Sequence, residues 1–173
     1  MSKKRRLIRI KALEVLYAHQ ISREPIDKIK IDLISEIKDN EDYEFASGLI
    51  DSVLKHQRAI DQMVREKIDN WQFERVSILD KILIRICIAE LLFFPEIPPK
   101  VTINEALEIA KIYCSQRSPT FINGVLDGIL SDLKKENKRI KAKLPFRMKK
   151  KKRLIKESVE KFRYGKKTLY LMK

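Results

Sequence analysis

Turn-forming residues are scarce in this sequence. Four glycines and six prolines in 173 residues are too few for a chain built of many short strands. No segment alternates apolar and polar residues with the period of two that a half-buried strand needs. Cysteine is scarce too: Cys87 and Cys114 sit on apolar helical stripes, the setting of buried reduced thiols in a cytosolic protein rather than of a disulfide framework. The two histidines, His19 and His56, have no Cys, Asp or Glu at ligand spacing, which leaves zinc and redox chemistry without a ligand set. Glycine-rich phosphate loops and the G-x-S-x-G elbow are absent, and the carboxylates are scattered over solvated helix faces. No enzyme activity, no metal and no cofactor are expected. Long apolar runs are missing as well. The most apolar segment, 76–94, carries Asp80, Lys81, Arg85 and Glu90, and Lys3–Arg6 leads into no continuous apolar stretch. Neither a spanning helix nor a signal peptide is expected, and the chain reads as soluble and cytoplasmic.

Charge is what the sequence has in excess, and it is unevenly placed. The net charge is +14. Residues 1–11 hold six Lys/Arg and no acid; residues 12–133 hold 14 basic and 21 acidic residues; residues 134–173 hold 18 basic and three acidic. An acidic body with basic ends points to a polyanionic partner, nucleic acid first, with a solubilising or disordered tail as the alternative. The division implies a helical body over 1–133 and a highly basic extension over 134–173, partly helical or disordered. Lys3, Lys4, Arg5, Arg6, Arg9 and Lys11 crowd the start of a helix over 5–21, where cations oppose the helix macrodipole. Such a start calls for an anion to complete it, or else stays frayed until bound.

Apolar periodicity then lays out an all-α body. Leu13, Leu16, Tyr17 and Ile21 make one face of the first helix, and Ile26, Ile29, Leu33 and Ile37 a second helix reaching about residue 39. A longer pattern from Tyr43 to Ile68 is expected to break once near 56–60, with Trp71 and Phe73 as a core plug after it. Ser77, three residues before Asp80, starts a helix over 77–94 that is apolar nearly all round and therefore belongs at the centre. Pro95, Pro98 and Pro99 bend the chain. Thr102 and Glu105 read as a capping box, and Ser118-Pro119 opens the last helix of the body. Gly124 and Gly128, one turn apart, are expected to let another helix come close. Phe121 is either a platform on which an unstacked base could lie, with Lys111 and Arg117 near it, or an ordinary core phenylalanine.

The blocks R-R-L-I-R-I-K-A-L-E-V-L-Y-A-H-Q (5–20), L-D-K-I-L-I-R-I-C-I-A-E-L (79–91), I-P-P-K-V-T-I-N-E-A-L-E-I-A-K (97–111) and F-I-N-G-V-L-D (121–127) occur in that order. Together they resemble the signature of the bacterial transcription antitermination factor NusB, over roughly residues 3 to 133. The resemblance implies about seven helices in two small bundles packed around a central helix. It also implies binding of the boxA element of ribosomal RNA leader transcripts, a single-stranded RNA. The positions it carries over for RNA are Lys3, Lys4, Arg5, Arg6, Arg9, Arg117, Ser118, Phe121 and Asn123. For the protein partner, the small-subunit ribosomal protein that acts as Nus factor E, they are Tyr17, Ile21 and Asp80. The resulting complex acts on RNA polymerase to support processive ribosomal RNA transcription. From the residues alone, Tyr17 and Ile21 fit core packing as well, and Asp80 could be a cap acid. Two other readings remain open. One is the NusB-like module of ribosomal RNA methyltransferases, although about forty residues after the body are too few for a catalytic domain. The other is a homodimeric structural protein.

Overall fold

The computed structural model describes residues 3–68 and 73–143. Among them are six α-helices: α1 (Lys3–Ser22), α2 (Ile26–Ile34), α3 (Asn40–Arg65), α4 (Ile78–Phe93), α5 (Pro99–Tyr113) and α6 (Ser118–Lys143). A single 3₁₀ turn, Phe73–Arg75, precedes α4. The all-α reading holds; the count is six helices and one short turn where about seven helices were expected. Two compact units divide within α6, Met1–Gly128 and Ile129–Lys173. The described part of the second unit continues α6. Trp71 and the chain beyond Lys143 lie outside the described residues, and with them most of the basic extension expected over 134–173.

α4 is the axis of the first unit. Every residue from 82 to 90 is buried, Arg85 and Glu90 included, and the helix touches α1, α3 and α5. An all-round apolar sequence can be buried only this way. Its start is as the sequence indicates, with the Ser77 hydroxyl accepting the Asp80 N–H at 3.1 Å.

Three element boundaries differ from the sequence reading, each for a visible reason. α3 runs unbroken through 56–60 over 26 residues. Ala46, Leu49, Ile50, Val53, Ile60, Met63 and Val64 stay in phase and buried, so packing against α1 and α4 supports a length that an isolated helix could not justify. α2 stops at Ile34, because Asp39 is already extended (φ −84°, ψ 118°) to cap α3 through the N–H groups of Glu41 and Asp42. α5 begins at Pro99, whose fixed φ suits the first helical position, so the Thr102–Glu105 capping box does not form. Thr102 is instead buried within α5 and donates to Glu90 at 2.7 Å. Among the described residues, the glycines do not admit a neighbouring helix either. A Cβ on Gly124 would meet nothing within 4 Å, and one on Gly128 would meet only the Lys67 side chain at 3.1 Å.

No described helix is long and apolar enough to cross a membrane, and no cluster of three metal-ligating side chains occurs among the described residues.

Candidate nucleic-acid interface

The cation-rich start of α1 is completed from within the chain. Lys4 Nζ lies 3.0 Å from Asp39 and 2.6 Å from Asp42. Arg5 pairs with Glu41 and, at 3.6 Å, with Asp42, and its guanidinium lies 4.7 Å over the Phe45 ring. Arg6 grips Glu105 through two hydrogen bonds of 2.7 and 3.1 Å and reaches Glu108 at 3.7 Å. Lys11 meets Glu14 and Glu36 at 3.2 and 3.5 Å. The anions that the sequence calls for are thus carboxylates of the chain itself, chiefly around the start of α3 and along α5, with Glu14 and Glu36 serving Lys11. These pairs hold Glu105 below the usual carboxylate range, through its hydrogen bond with Arg6, and Asp39 likewise through Lys4.

Arg9 belongs to a different environment. It is 2% exposed, and both ends of its guanidinium fork donate to Glu90 at 2.7 Å. Burial and pairing set Arg9 apart from Lys4, Arg5 and Arg6, which lie nearer the surface. The Lys3 side chain lies outside the described residues.

The second RNA-facing segment of the sequence reading is the link from α5 to α6. Lys111, Ile112, Tyr113, Gln116 and Arg117 are exposed there, and Phe121 and Asn123 are half-buried. The Asn123 amide donates to Asp127 at 3.0 Å. Ser118 is 3% exposed, and its hydroxyl donates to Asp80 Oδ2 at 3.0 Å, so it anchors the link rather than lining its surface. α5 joins the two segments: Glu108 receives Arg6 from one side and Lys111, at 2.5 Å, from the other. The spacing of Glu105, Glu108 and Lys111 was legible as one helix face; its contact with Arg6, 99 residues away from Glu105 in sequence, was not.

On the partner face, Tyr17 is 41% and Ile21 56% exposed, so these two do not fill the core. Arg9 lies beside Glu90, while Leu16 and His19 share a groove of about 260 Å³ with Val53, Ile82 and Arg85. α1 and α4 therefore run antiparallel, and the start of α4 comes level with Tyr17 and Ile21. Ile78, 41% exposed, is an apolar residue at that end which sequence reading missed, because its helix looked buried on every side. Asp80 is 7% exposed. Its carboxylate is turned to Ser118.

These elements define an all-helical domain with a cation-bearing edge beside a polar, aromatic link. The chain belongs to the NusB family, whose family model matches residues 6–131. A transcription antitermination protein NusB of Chloroherpeton thalassium is 42% identical over 132 residues, 75% of this chain and 63% of that protein. The protein of the same name from Bacillus cereus is 37% identical over 130 residues, 75% of this chain and 99% of its own length. The chain thus spans less than two thirds of the first relative and nearly all of the second. Among solved structures, one described as antitermination factors NusB and NusE in complex with double-stranded RNA superposes with a TM-score of 0.64 at 26% identity. That match covers 76% of this chain and 99% of the other.

Proposed function

We propose that this chain is a non-enzymatic, cytoplasmic RNA-binding factor of transcription antitermination. It binds boxA-type single-stranded RNA of ribosomal RNA leader transcripts together with the ribosomal protein acting as Nus factor E. On RNA polymerase the assembly supports processive ribosomal RNA transcription. The observation that carries this reading is the strip from Lys4, Arg5 and Arg6 over α5 to Lys111, Arg117 and Phe121, in which both RNA-facing segments of the sequence are joined through Glu108. Arginine forks suit phosphates, and a half-buried phenylalanine can lie against an unstacked base. The related assembly of NusB with NusE and double-stranded RNA supports a reading in which a protein and an RNA are bound together. Tyr17, Ile21 and Ile78 form the protein-binding end. The basic extension 134–173 adds sequence-independent attraction, so its removal lowers affinity for boxA and scrambled RNA alike and flattens the salt slope.

The test is a titration of boxA and scrambled RNA, each single- and double-stranded, with and without the ribosomal partner at ~0.15 M salt, where attraction to the tail is screened. Preference for single-stranded boxA that sharpens with partner is the expected result. Equal binding to every RNA, indifferent to the partner, overturns the reading.

The carboxylates that pair with α1 compete with the RNA. Exposed pairs of this kind add little to the stability of a fold, so a phosphate can displace them. Glu41→Gln combined with Asp39→Asn, which keeps a capping side chain at position 39, is expected to raise RNA affinity about two- to fivefold in low salt. The gain should vanish near ~1 M salt, where the Debye length is about 3 Å. Unchanged affinity in low salt would place the RNA away from this edge.

A further inference from the structure

We propose that Asp80 is a positioning residue for the link: it holds Ser118, and with it Arg117 and Phe121. The proposal rests on the RNA-binding reading above and deepens it by assigning the residue that shapes the site.

The link from Cys114 to Arg117 is closed on itself and moored at one point. The Ser118 N–H donates to the Ser115 carbonyl at 2.9 Å, and the two serine hydroxyls lie 2.8 Å apart. From this closed turn the Ser118 hydroxyl reaches the Asp80 carboxylate at 3.0 Å, across 38 residues of sequence. Ser77 caps the Asp80 N–H, while the Asp80 carboxylate turns to Ser118 instead of back to the Ser77 N–H that a capping box would use. Its other oxygen, Oδ1, is buried and meets no N–H or O–H donor among the described residues. The Cys114 thiol hydrogen-bonds the same carboxylate, so Asp80 meets the link at two residues, Cys114 and Ser118. The half-buried Cys114 thiol is its neighbour on the link; burial first, and then the adjacent carboxylate, pushes that thiol up to about 12, so it stays neutral at physiological pH. Arg117 and Phe121 flank Ser118 by one and three residues, and the Phe121 N–H bonds the Arg117 carbonyl at 3.3 Å, so a shift at Ser118 moves both.

The test uses Asp80→Ala, Ser118→Ala, their combination, and Asp80→Asn, which keeps an oxygen acceptor for the serine. Four readouts are taken on the full chain: affinity for boxA RNA, for scrambled RNA and for the purified ribosomal partner, and the rate of trypsin cleavage at Arg117. Each single alanine variant is expected to weaken boxA binding about tenfold, the scale of one hydrogen bond to a charged group, and the double variant no further. Asp80→Asn restores most of the affinity, while scrambled RNA and the partner bind within about twofold of the parent protein. Cleavage at Arg117 quickens in the alanine variants and not in Asp80→Asn. Additive losses, or a loss of partner binding with boxA affinity intact, overturn the proposal. If the parent protein does not distinguish boxA from scrambled RNA, the functional reading fails, and the cleavage rates alone decide whether Asp80 positions the link. Should the alanine variants melt early, Asp80→Asn against Ser118→Thr carries the comparison, both retaining the bond and the slow cleavage.

Discussion

Replacing Glu90 with alanine is expected to destabilise the domain by about 3–5 kcal/mol, the cost of leaving a buried charge without its partner. Glu90 accepts two bonds from Arg9 at 2.7 Å and one from the Thr102 hydroxyl at 2.7 Å. Arg9 in turn donates to the Arg5 carbonyl at 3.2 Å and lies 5.4 Å from the Phe45 ring. The three side chains come from α1, α4 and α5, so this one network joins three helices. Urea and thermal unfolding check the figure, and a fall in Tm of roughly 10–20 °C is the corresponding outcome for a domain of this size. Arg9→Met with Glu90→Leu should lose far less, because a buried ion pair and its apolar replacement often differ little in stability. Arg6→Ala, which breaks a partly exposed pair, should cost under about 1 kcal/mol. An Arg9→Ala variant that binds no RNA at 37 °C but binds normally where it is still folded would show that Arg9 acts through the fold alone. A loss below ~1 kcal/mol for Glu90→Ala would mean that water reaches the network.

The largest effect on binding is expected from Phe121→Ala. A stacked base contributes about 1–3 kcal/mol by alanine substitution, which corresponds to roughly five- to 150-fold in affinity for boxA RNA. Phe121 is only half-buried, so the same change should lower stability by far less than the 3–5 kcal/mol typical of a core phenylalanine. Phe121→Tyr or Phe121→Trp retains a ring face and should keep most of the affinity. Arg117→Ala provides the contrast. It removes a cation that meets phosphate, so it should weaken boxA and scrambled RNA together and reduce the salt slope by ~0.7. Fluorescence titration at several salt concentrations, with melting curves on the same samples, separates the two patterns. A Phe121→Ala protein that loses 3 kcal/mol of stability and no RNA affinity would make this ring a piece of core.

Much of this was readable from the chain. The lack of strands among the described residues and the all-round apolar stretch at 77–94 rest on local spacing and stand in the structure; α6 also begins at Ser118, although its hydroxyl serves Asp80 rather than a cap. The same local rules failed at Thr102. A hydroxyl three residues before a glutamate is a capping box only if the helix begins there, and Pro99 had already begun it. They failed again near 56–60, where burial of one continuous face kept α3 whole. Tyr17 and Ile21 fitted either of two roles from spacing alone, and their exposure decides between them.

The sequence by itself determined that this chain is helical, which helix lies at its centre, and that its cations gather at its two ends. Periodicity and charge are properties of neighbours along the chain, and helices obey neighbours. Only the tertiary structure decided what each charge does. Arg6 and Arg9 stand three residues apart on one helix, alike in every local respect. One lies at an edge against Glu105, and the other is sealed against Glu90, 81 residues away in sequence. Whether a guanidinium can meet an RNA depends on the carboxylate that folding brings to it, and that partner comes from a distant helix.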